Sequence, residues 1–248
     1  MVEYILGNYL IESGKIKREQ LKLVMEKEDS VTVSPELKAA EEGQGGHYLM
    51  FVQALLDEKL IALDELEWLL KDFGEKNGYN AEQINDIKSD EVERIIPLLM
   101  PKEAGQFVSL VCTMVSTMVK SFDKHIYVGK AAMVDQLPAE DLVNQSLIWE
   151  DGIVDCFSER DGGLLMVSSV YGQEEYGQLD SDALDAAGEL LNCINGLYVS
   201  GLSREGYFLE MMPPKYEECS ESVKKGTICR IPIFFDERGF YFTVAELV

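Results

Sequence analysis

Cysteine and histidine are scarce in this chain of 248 residues, which has five cysteines and two histidines. The cysteines are odd in number and contain no Cys-x-x-Cys pair; they are Cys112, Cys156, Cys193, Cys219 and Cys229. This spacing argues against a disulfide framework or a zinc site and favours buried thiols. Because His47 and His125 lie far apart, a metal site built by this chain alone, or a histidine-activated nucleophile, has little support.

Long hydrophobic runs and positive charge are also lacking. No apolar stretch reaches the ~18–20 residues of a membrane span, and the N-terminus shows no basic region followed by an apolar run, as a secretory signal has. The 22 basic residues face 45 acidic ones, for a net charge of −23. Such a charge repels nucleic acid and anionic membrane surfaces, so neither is an expected partner. The simplest compartment is the cytoplasm.

The hydrophobic pattern changes near residue 95. Residues 1–95 favour helices almost throughout, because apolar residues recur at steps of three and four and β-branched runs are absent. Residues 96–248 combine long helical patterns with segments rich in Val, Ile, Phe and Tyr, which are typical of strands. We therefore predict an α+β protein. A small helical bundle at 1–95 precedes a domain at 96–248, in which two long helices pack on a largely antiparallel sheet.

The first part contains an internal near-repeat. Residues 10–16 line up with residues 55–61, and each copy predicts a helix, a short turn and a second helix. Gly14 is placed to end the first helix as its C-terminal cap. Because one helix pair cannot bury its apolar stripe alone, the two copies are expected to pack together, with residues 29–46 as the loop between them.

A motif in the first copy resembles a known domain. The pattern Leu6-Gly7-x-x-Leu10-Ile11-x-x-Gly14-x-Ile16, followed by Leu21, resembles the N-terminal domain of type II secretion and type IV pilus ATPases. Some of these domains bind cyclic di-GMP, in a version that begins Arg-Leu-Gly and ends with Gln. Here Ile5 stands at the Arg position and Glu28 at the Gln position, and a carboxylate repels a phosphate. We expect a similar helical scaffold that has lost the nucleotide.

The second part alternates between predicted helices and strands. One helix is predicted over 102–120 and another over 181–200, with Ser181 as the N-terminal cap of the latter. Strands are predicted at 125–128, 141–149, 163–170, 227–235 and 240–244, the last two as a hairpin turning at 236–239. The apolar side of the second helix is Leu184, Ala187, Leu191, Ile194 and Tyr198.

The opposite side of the helix at 181–200 carries a short polar patch. Asp185, Glu189 and Asn192 lie within ~60° of one another at about 100° per residue. Gly196 continues the patch without a side chain, so a partner could approach closely there. By spacing alone, such a patch is normally a solvated helix surface. Asn195 points away from it and is interpreted as structural.

The order of residues around the patch resembles the CheX/CheC/FliY family of chemotaxis phosphatases. That family has an Asp/Ser-x-x-x-Glu-x-x-Asn helix, matched here by Asp185, Glu189 and Asn192 in order and spacing. A proline follows the family's Asn by about 22 residues, near Pro213 and Pro214 of this chain. The resemblance covers roughly residues 96–248. The single signature helix favours the CheX layout over the two-signature CheC layout.

The resemblance implies a function. It implies a phosphatase that binds a phosphorylated CheY-like receiver domain and speeds the hydrolysis of its aspartyl phosphate, with Mg²⁺ supplied by the receiver. Asn192 would orient a water for in-line attack, Glu189 would pair with a receiver lysine, and Asp185 would support them. The chain itself would bind no cofactor and no metal, and two copies would pair through a sheet edge. Two alternatives stay open, a non-catalytic adaptor that docks a receiver and a regulatory module governed through the N-terminal bundle.

Overall fold

A computed structural model describes residues 1–122, 126–137, 142–148, 152–217, 219–235 and 238–248. Contacts between these residues divide the chain into two compact units, Met1–Ile95 and Ile96–Val248. In the described part of the chain, no helix has the length and the apolar character that a membrane crossing needs.

The first unit is helical. Its helices begin and end as follows: α1 (Val2–Glu12), α2 (Arg18–Lys27), α3 (Pro35–Ala40), α4 (Gly46–Asp57), α5 (Leu63–Asn77), α6 (Ala81–Lys88) and α7 (Val92–Leu99), the last of which runs on past Ile95. The near-repeat is confirmed, because α1 with α2 and α4 with α5 form two helix pairs. The turn of each pair contains one left-handed residue, Gly14 at φ 73° and Lys59 at φ 56°. In both turns the next amide donates to the carbonyl five residues earlier, which closes the preceding helix.

The segment 29–46, predicted as a loop, contains helix α3, so the prediction is wrong for the residues of that helix. Helix α3 begins there because Pro35 occupies the first helical position and Oγ of Ser34 accepts from the amide of Leu37 over 3.3 Å. Leu37 is fully buried in the unit. Of the two residues at the nucleotide-motif positions, Ile5 is half-buried and Glu28 is buried.

The described part of the second unit contains a sheet and, after the end of α7, three further α-helices. The helices are α8 (Val108–Ser121), α9 (Gly163–Gly172) and α10 (Ser181–Arg204). The strands are β1 (Ile126–Val128), β2 (Ala132–Val134), β3 (Leu142–Ile148), β4 (Ile153–Arg160), β5 (Glu210–Met211), β6 (Val223–Phe235) and β7 (Arg238–Leu247). Every described pairing is antiparallel, in the order β1-β6-β7-β4-β3-β5, and β2 also pairs with β6. The α+β prediction is confirmed.

The predicted strands are confirmed with one exception. The hairpin forms as β6 and β7 and buries its alternating apolar residues, although residues 236 and 237 of its turn lie outside the described residues, as do His125, Asp141 and Trp149. The strand predicted at 163–170 is wrong, because this segment is helix α9. A Cβ on Gly163 would clash with the carbonyl group of Gly239, so the helix starts where only glycine lets it touch β7.

The two predicted helices both form, with different ends. The first begins as a 3-10 helix at Lys102–Phe107 and continues as α8. The second, α10, is capped by Asp180 rather than by Ser181, since the Asp180 side chain accepts from the amide of Ala183 over 3.2 Å. Helix α10 buries Ala187, Leu191 and Ile194, whereas Leu184 and Tyr198 are half-buried. It packs against α8, α9 and β3.

Candidate functional site

The polar patch of α10 is divided between solvent and the sheet. Asp185 and Glu189 are exposed, whereas Asn192 is half-buried on the side of the helix that meets β3. Gly196, one turn further on, has open space where a side chain would stand, since no atom lies within 4 Å of its Cβ position. The structure therefore places two carboxylates and one amide along a single helix, beside a stretch that a partner can approach.

The inner end of the Asn192 side chain is held by strand β3. Nε2 of Gln145 donates to Oδ1 of Asn192 over 2.9 Å and to the carbonyl oxygen of Met212 over 2.6 Å. Among the described residues, Nδ2 of Asn192 donates no hydrogen bond, and the bond from Gln145 to Oδ1 is the side-chain contact of this amide. An amide oxygen has two lone pairs, so Oδ1 can still accept one further hydrogen bond. Asn192 thus has a fixed inner contact and an outer end with donor capacity to spare.

The polar contacts of Gln145 continue into the interior. Nδ2 of Asn195 donates to Oε1 of Gln145 over 2.9 Å and to Oδ1 of Asp155 over 3.0 Å. Gln145 and Asp155 face each other across β3 and β4, and Asn195 lies above them on α10. Gln145, Asn195 and Asp155 are all buried. The interpretation of Asn195 as a structural residue is consistent with this position.

Asp155 carries an ionisable group at the deepest point of these contacts. Burial raises the pKa of this carboxyl from its ordinary value near 3.8 to about 7, against the opposing effect of the hydrogen bond from Asn195. Its Oδ2 is buried and accepts no hydrogen bond from the described residues. A buried carboxylate with one unsatisfied oxygen is costly to ionise, so Asp155 stays protonated to an unusually high pH.

Asp185 is tied to the segment that follows β5. Oη of Tyr216 donates to Oδ1 of Asp185 over 2.8 Å. The Tyr216 ring rests against Gly188, where a Cβ would lie 2.6 Å from Cε1 of the ring. Burial and then this hydrogen bond raise the pKa of Tyr216 to about 12. Gly188 therefore leaves the space that lets Tyr216 reach Asp185.

Substitution of Gly188 by alanine is expected to release Tyr216 from Asp185. The added Cβ displaces the ring, so the pKa of Tyr216 falls from about 12 toward the ordinary value near 10. The measurement is a pH titration of ¹³C-labelled tyrosine followed by NMR. Gly196→Ala is the matched control, since its Cβ meets open space. A Tyr216 pKa that is the same in Gly188→Ala as in the wild type would contradict this account.

The exposed side of α10 also offers a thiol and an apolar side chain. Cys193 is exposed one turn after Glu189 and lies near Tyr171 at the end of α9. Leu197, one turn further, is 53% exposed. A protein partner that lies along this face would meet carboxylates first and then an apolar contact, as at many interfaces. Within the described ranges, no group of three or more His, Cys, Asp or Glu side chains could hold a metal ion.

Sequence reasoning missed Gln145, Asp155 and Tyr216. A signal for Gln145 exists, because β3 reads Leu-Val-Asn-Gln-Ser-Leu-Ile and its polar centre interrupts an otherwise apolar strand. Such an interruption in a buried strand indicates that the polar groups have partners. The partners themselves come from α10, about 50 residues further along the chain, and no local pattern identifies them.

Comparison with known proteins gives matches among solved structures alone. A CheC-like superfamily protein from Shewanella sp. PV-4 matches with a TM-score of 0.48 and 15% identity, over 60% of this chain and 100% of that one. Chemotaxis protein CheX from Vibrio vulnificus matches with a TM-score of 0.46 and 13% identity, over 56% of this chain and 96% of that one. A CheX–CheY–BeF3–Mg²⁺ complex from Borrelia burgdorferi matches with a TM-score of 0.45 and 18% identity, over 56% and 96%.

The sequence comparisons gave no match. No family model matches the chain, and no curated protein does. None of the three solved structures described above is a secretion or pilus ATPase, so the resemblance of residues 1–95 to those proteins stays a prediction. Over somewhat more than half of its length, the chain is similar in structure to CheX-like and CheC-like proteins.

Proposed function

We propose that this chain is a phosphatase that hydrolyses the aspartyl phosphate of a CheY-like receiver domain. The observation that carries the proposal is the arrangement on α10. Glu189 is exposed, and one turn later Asn192 is held at its oxygen by Gln145 while its Nδ2 has no acceptor among the described residues. The helix signature formed by Asp185, Glu189 and Asn192 resembles that of the CheX-type phosphatases in order and spacing.

The chemistry needs few groups from this chain. An aspartyl phosphate is a reactive mixed anhydride, and phosphoryl transfer depends chiefly on the position of the attacking water and on stabilisation of charge. In the proposed complex Nδ2 of Asn192 donates to a phosphoryl oxygen or to the attacking water. The receiver supplies Mg²⁺, which neutralises the phosphoryl charge. A carboxylate at position 192 would repel the phosphoryl oxygens.

Glu189 and Asp185 would set the docking register. An exposed Glu189 carboxylate can pair with a receiver lysine close to the phosphorylated aspartate, which would bring Asn192 over the phosphoryl group. Asp185 would act indirectly, because its contact with Tyr216 holds the segment after β5 against α10. In this proposal both carboxylates position the complex, and Asn192 alone touches the reacting atoms.

The test is the release of phosphate from a receiver charged with acetyl phosphate, with and without this chain. A panel of CheY-like receivers is used, because the cognate one is unidentified. Faster release with at least one receiver is the expected result. Receiver binding without acceleration would instead indicate the adaptor. The absence of both binding and acceleration across the whole panel would contradict both functions. Pairing of two chains through a sheet edge stays a prediction.

Reversal of charge at position 189 tests the docking role. Glu189→Lys sets a like charge against the receiver lysine, so the receiver concentration at half-maximal rate is expected to rise about 10-fold or more. The rate at saturating receiver should change far less. Glu205→Lys is the matched control, because Glu205 is exposed at the C-terminal end of α10, about 24 Å further along the helix axis. Equal effects of the two substitutions would show that net charge, and not Glu189 itself, governs docking.

A further inference from the structure

The orientation of the Asn192 amide follows from a backbone carbonyl. The carbonyl oxygen of Met212 can only accept, so the Gln145 atom 2.6 Å from it is the donor Nε2. The opposite end of that amide, Oε1, accepts from Nδ2 of Asn195 over 2.9 Å. Asn195 in turn donates to Asp155 over 3.0 Å. The direction of Gln145 is therefore fixed by partners on both of its ends.

The same Nε2 of Gln145 also faces Asn192, at 2.9 Å from Oδ1. The two ends of an asparagine amide have nearly the same shape, so packing does not decide which one faces outward. If Asn192 were reversed, its Nδ2 would face Nε2 of Gln145, and two donors would oppose each other. The hydrogen-bond pattern therefore keeps the oxygen of Asn192 inward and its N–H groups outward.

The position of Gln145 makes this control strong. Gln145 is 1% exposed and Asn195 is 0% exposed, so bulk water does not compete for their hydrogen bonds. Gln145 lies on a strand that is paired on both sides, with β4 and with β5, and it sits directly opposite Asp155. Its backbone is thus fixed by the sheet rather than by a loop.

We propose that Gln145 is a positioning residue that sets the amide direction of Asn192, so that the site presents N–H donors and selects a partner group with anionic oxygens. The inference rests on the proposed function for the identity of the reaction. Beyond that function, the inference names the class of partner group that the site accepts and the residue, Gln145, that causes this selectivity. An anionic phosphoryl oxygen receives a charge-assisted hydrogen bond from an outward N–H, whereas a donor group on the partner would find no acceptor of matching direction.

The direct test follows the side-chain amide of Asn192 by NMR in protein labelled with ¹⁵N-asparagine. The Asn192 signal is identified as the one that Asn192→Ala removes. In Gln145→Leu the ¹⁵N and ¹H chemical shifts of this signal are expected to move toward those of a free asparagine amide, because the hydrogen bond into Oδ1 is gone and the amide can reverse. Gln106→Leu is the matched control, since Gln106 is exposed and donates to Glu246 over 3.3 Å. Its Asn192 signal should match that of the wild type.

A kinetic measurement separates positioning from docking. With a receiver charged by acetyl phosphate, Gln145→Leu is expected to lower kcat by about 10- to 100-fold, while KM for the receiver stays within about two-fold. Gln145→Glu serves if the leucine variant fails to fold, because it keeps the shape and loses the Nε2 donor, and it should give the same loss.

Each outcome bears on a different statement. Side-chain amide shifts of Asn192 that are the same in the Gln145 variants as in the wild type would overturn the positioning role. A raised KM with kcat intact would overturn it as well, since that pattern belongs to docking. If the wild type accelerates no receiver, the proposed function fails, and the NMR measurement still decides what Gln145 does to Asn192.

Discussion

Asn192→Ala is expected to lower the rate of phosphate release at saturating receiver by about 100-fold or more, to nearly the rate of the receiver alone. The size follows from the loss of a positioned donor that acts only in the transition state, which typically costs about 100- to 1,000-fold. The half-buried side chain contacts β3 by one hydrogen bond, from Gln145, so its removal should leave the fold and the docking face nearly unchanged. Phosphate release and receiver binding are measured on the same preparations.

The control for this substitution is Asn85→Ala. Asn85 is exposed on α6 of the first unit, and the change removes the same amide from a helix that does not carry the signature. The control should release phosphate at the wild-type rate. If Asn192→Ala is as fast as the wild type, Asn192 has no role in the reaction, whatever Glu189 contributes to docking.

Asp155→Asn is expected to change the pH dependence of stability. Burial raises the pKa of Asp155 to about 7 from an ordinary value near 3.8, so between these pH values the folded state holds a proton that the unfolded state has lost. Folded wild type is therefore progressively destabilised as the pH rises through this window, and the loss is complete above pH ~7. Asparagine mimics the protonated acid in shape and does not titrate.

The free energy of unfolding of the two proteins should thus diverge with pH. Relative to the wild type, Asp155→Asn is expected to gain about 3 kcal/mol between pH 5 and pH 8, measured by urea denaturation. Because other carboxylates titrate in both proteins, their contributions cancel in the difference. Asp182→Asn, at an exposed carboxylate of α10, is the control and should show no such divergence. A constant difference between wild type and Asp155→Asn across this range would show that Asp155 is ionised in the folded protein at pH 5.

The positions of the helices and of the main hairpin could be predicted from the sequence because their signals are local. Helix α10 shows apolar residues at steps of three and four over about four turns, and β6 and β7 alternate in a period of two. The repeated helix pair of residues 1–95 can be predicted from the sequence for the same reason. Gly14 in the first turn indicates a left-handed residue, although its counterpart in the second turn is Lys59, which no propensity would select.

Two predictions made from local sequence patterns are wrong, because the patterns at these positions fit more than one structure. The run at 163–170 is apolar without alternation, so strand and helix fit it equally well, and the approach of Gly163 to the backbone of Gly239 decides for a helix. The cap of α10 is Asp180 and not the neighbouring Ser181. Both residue types cap helices, so residue type alone does not distinguish the two positions.

The sequence by itself determined the α+β class and the presence of Asp185, Glu189 and Asn192 along one helix, because both follow from periodicities of two and 3.6 residues. The tertiary structure alone decided that Asn192 lies half-buried with its oxygen on Gln145, and that Asp155 and Asn195 complete the contacts below it. These residues come from β3, β4 and α10, segments up to 50 residues apart that meet only when the helix packs on the sheet. The hydrogen-bond direction of an amide depends on such neighbours, and nothing in its local sequence encodes it.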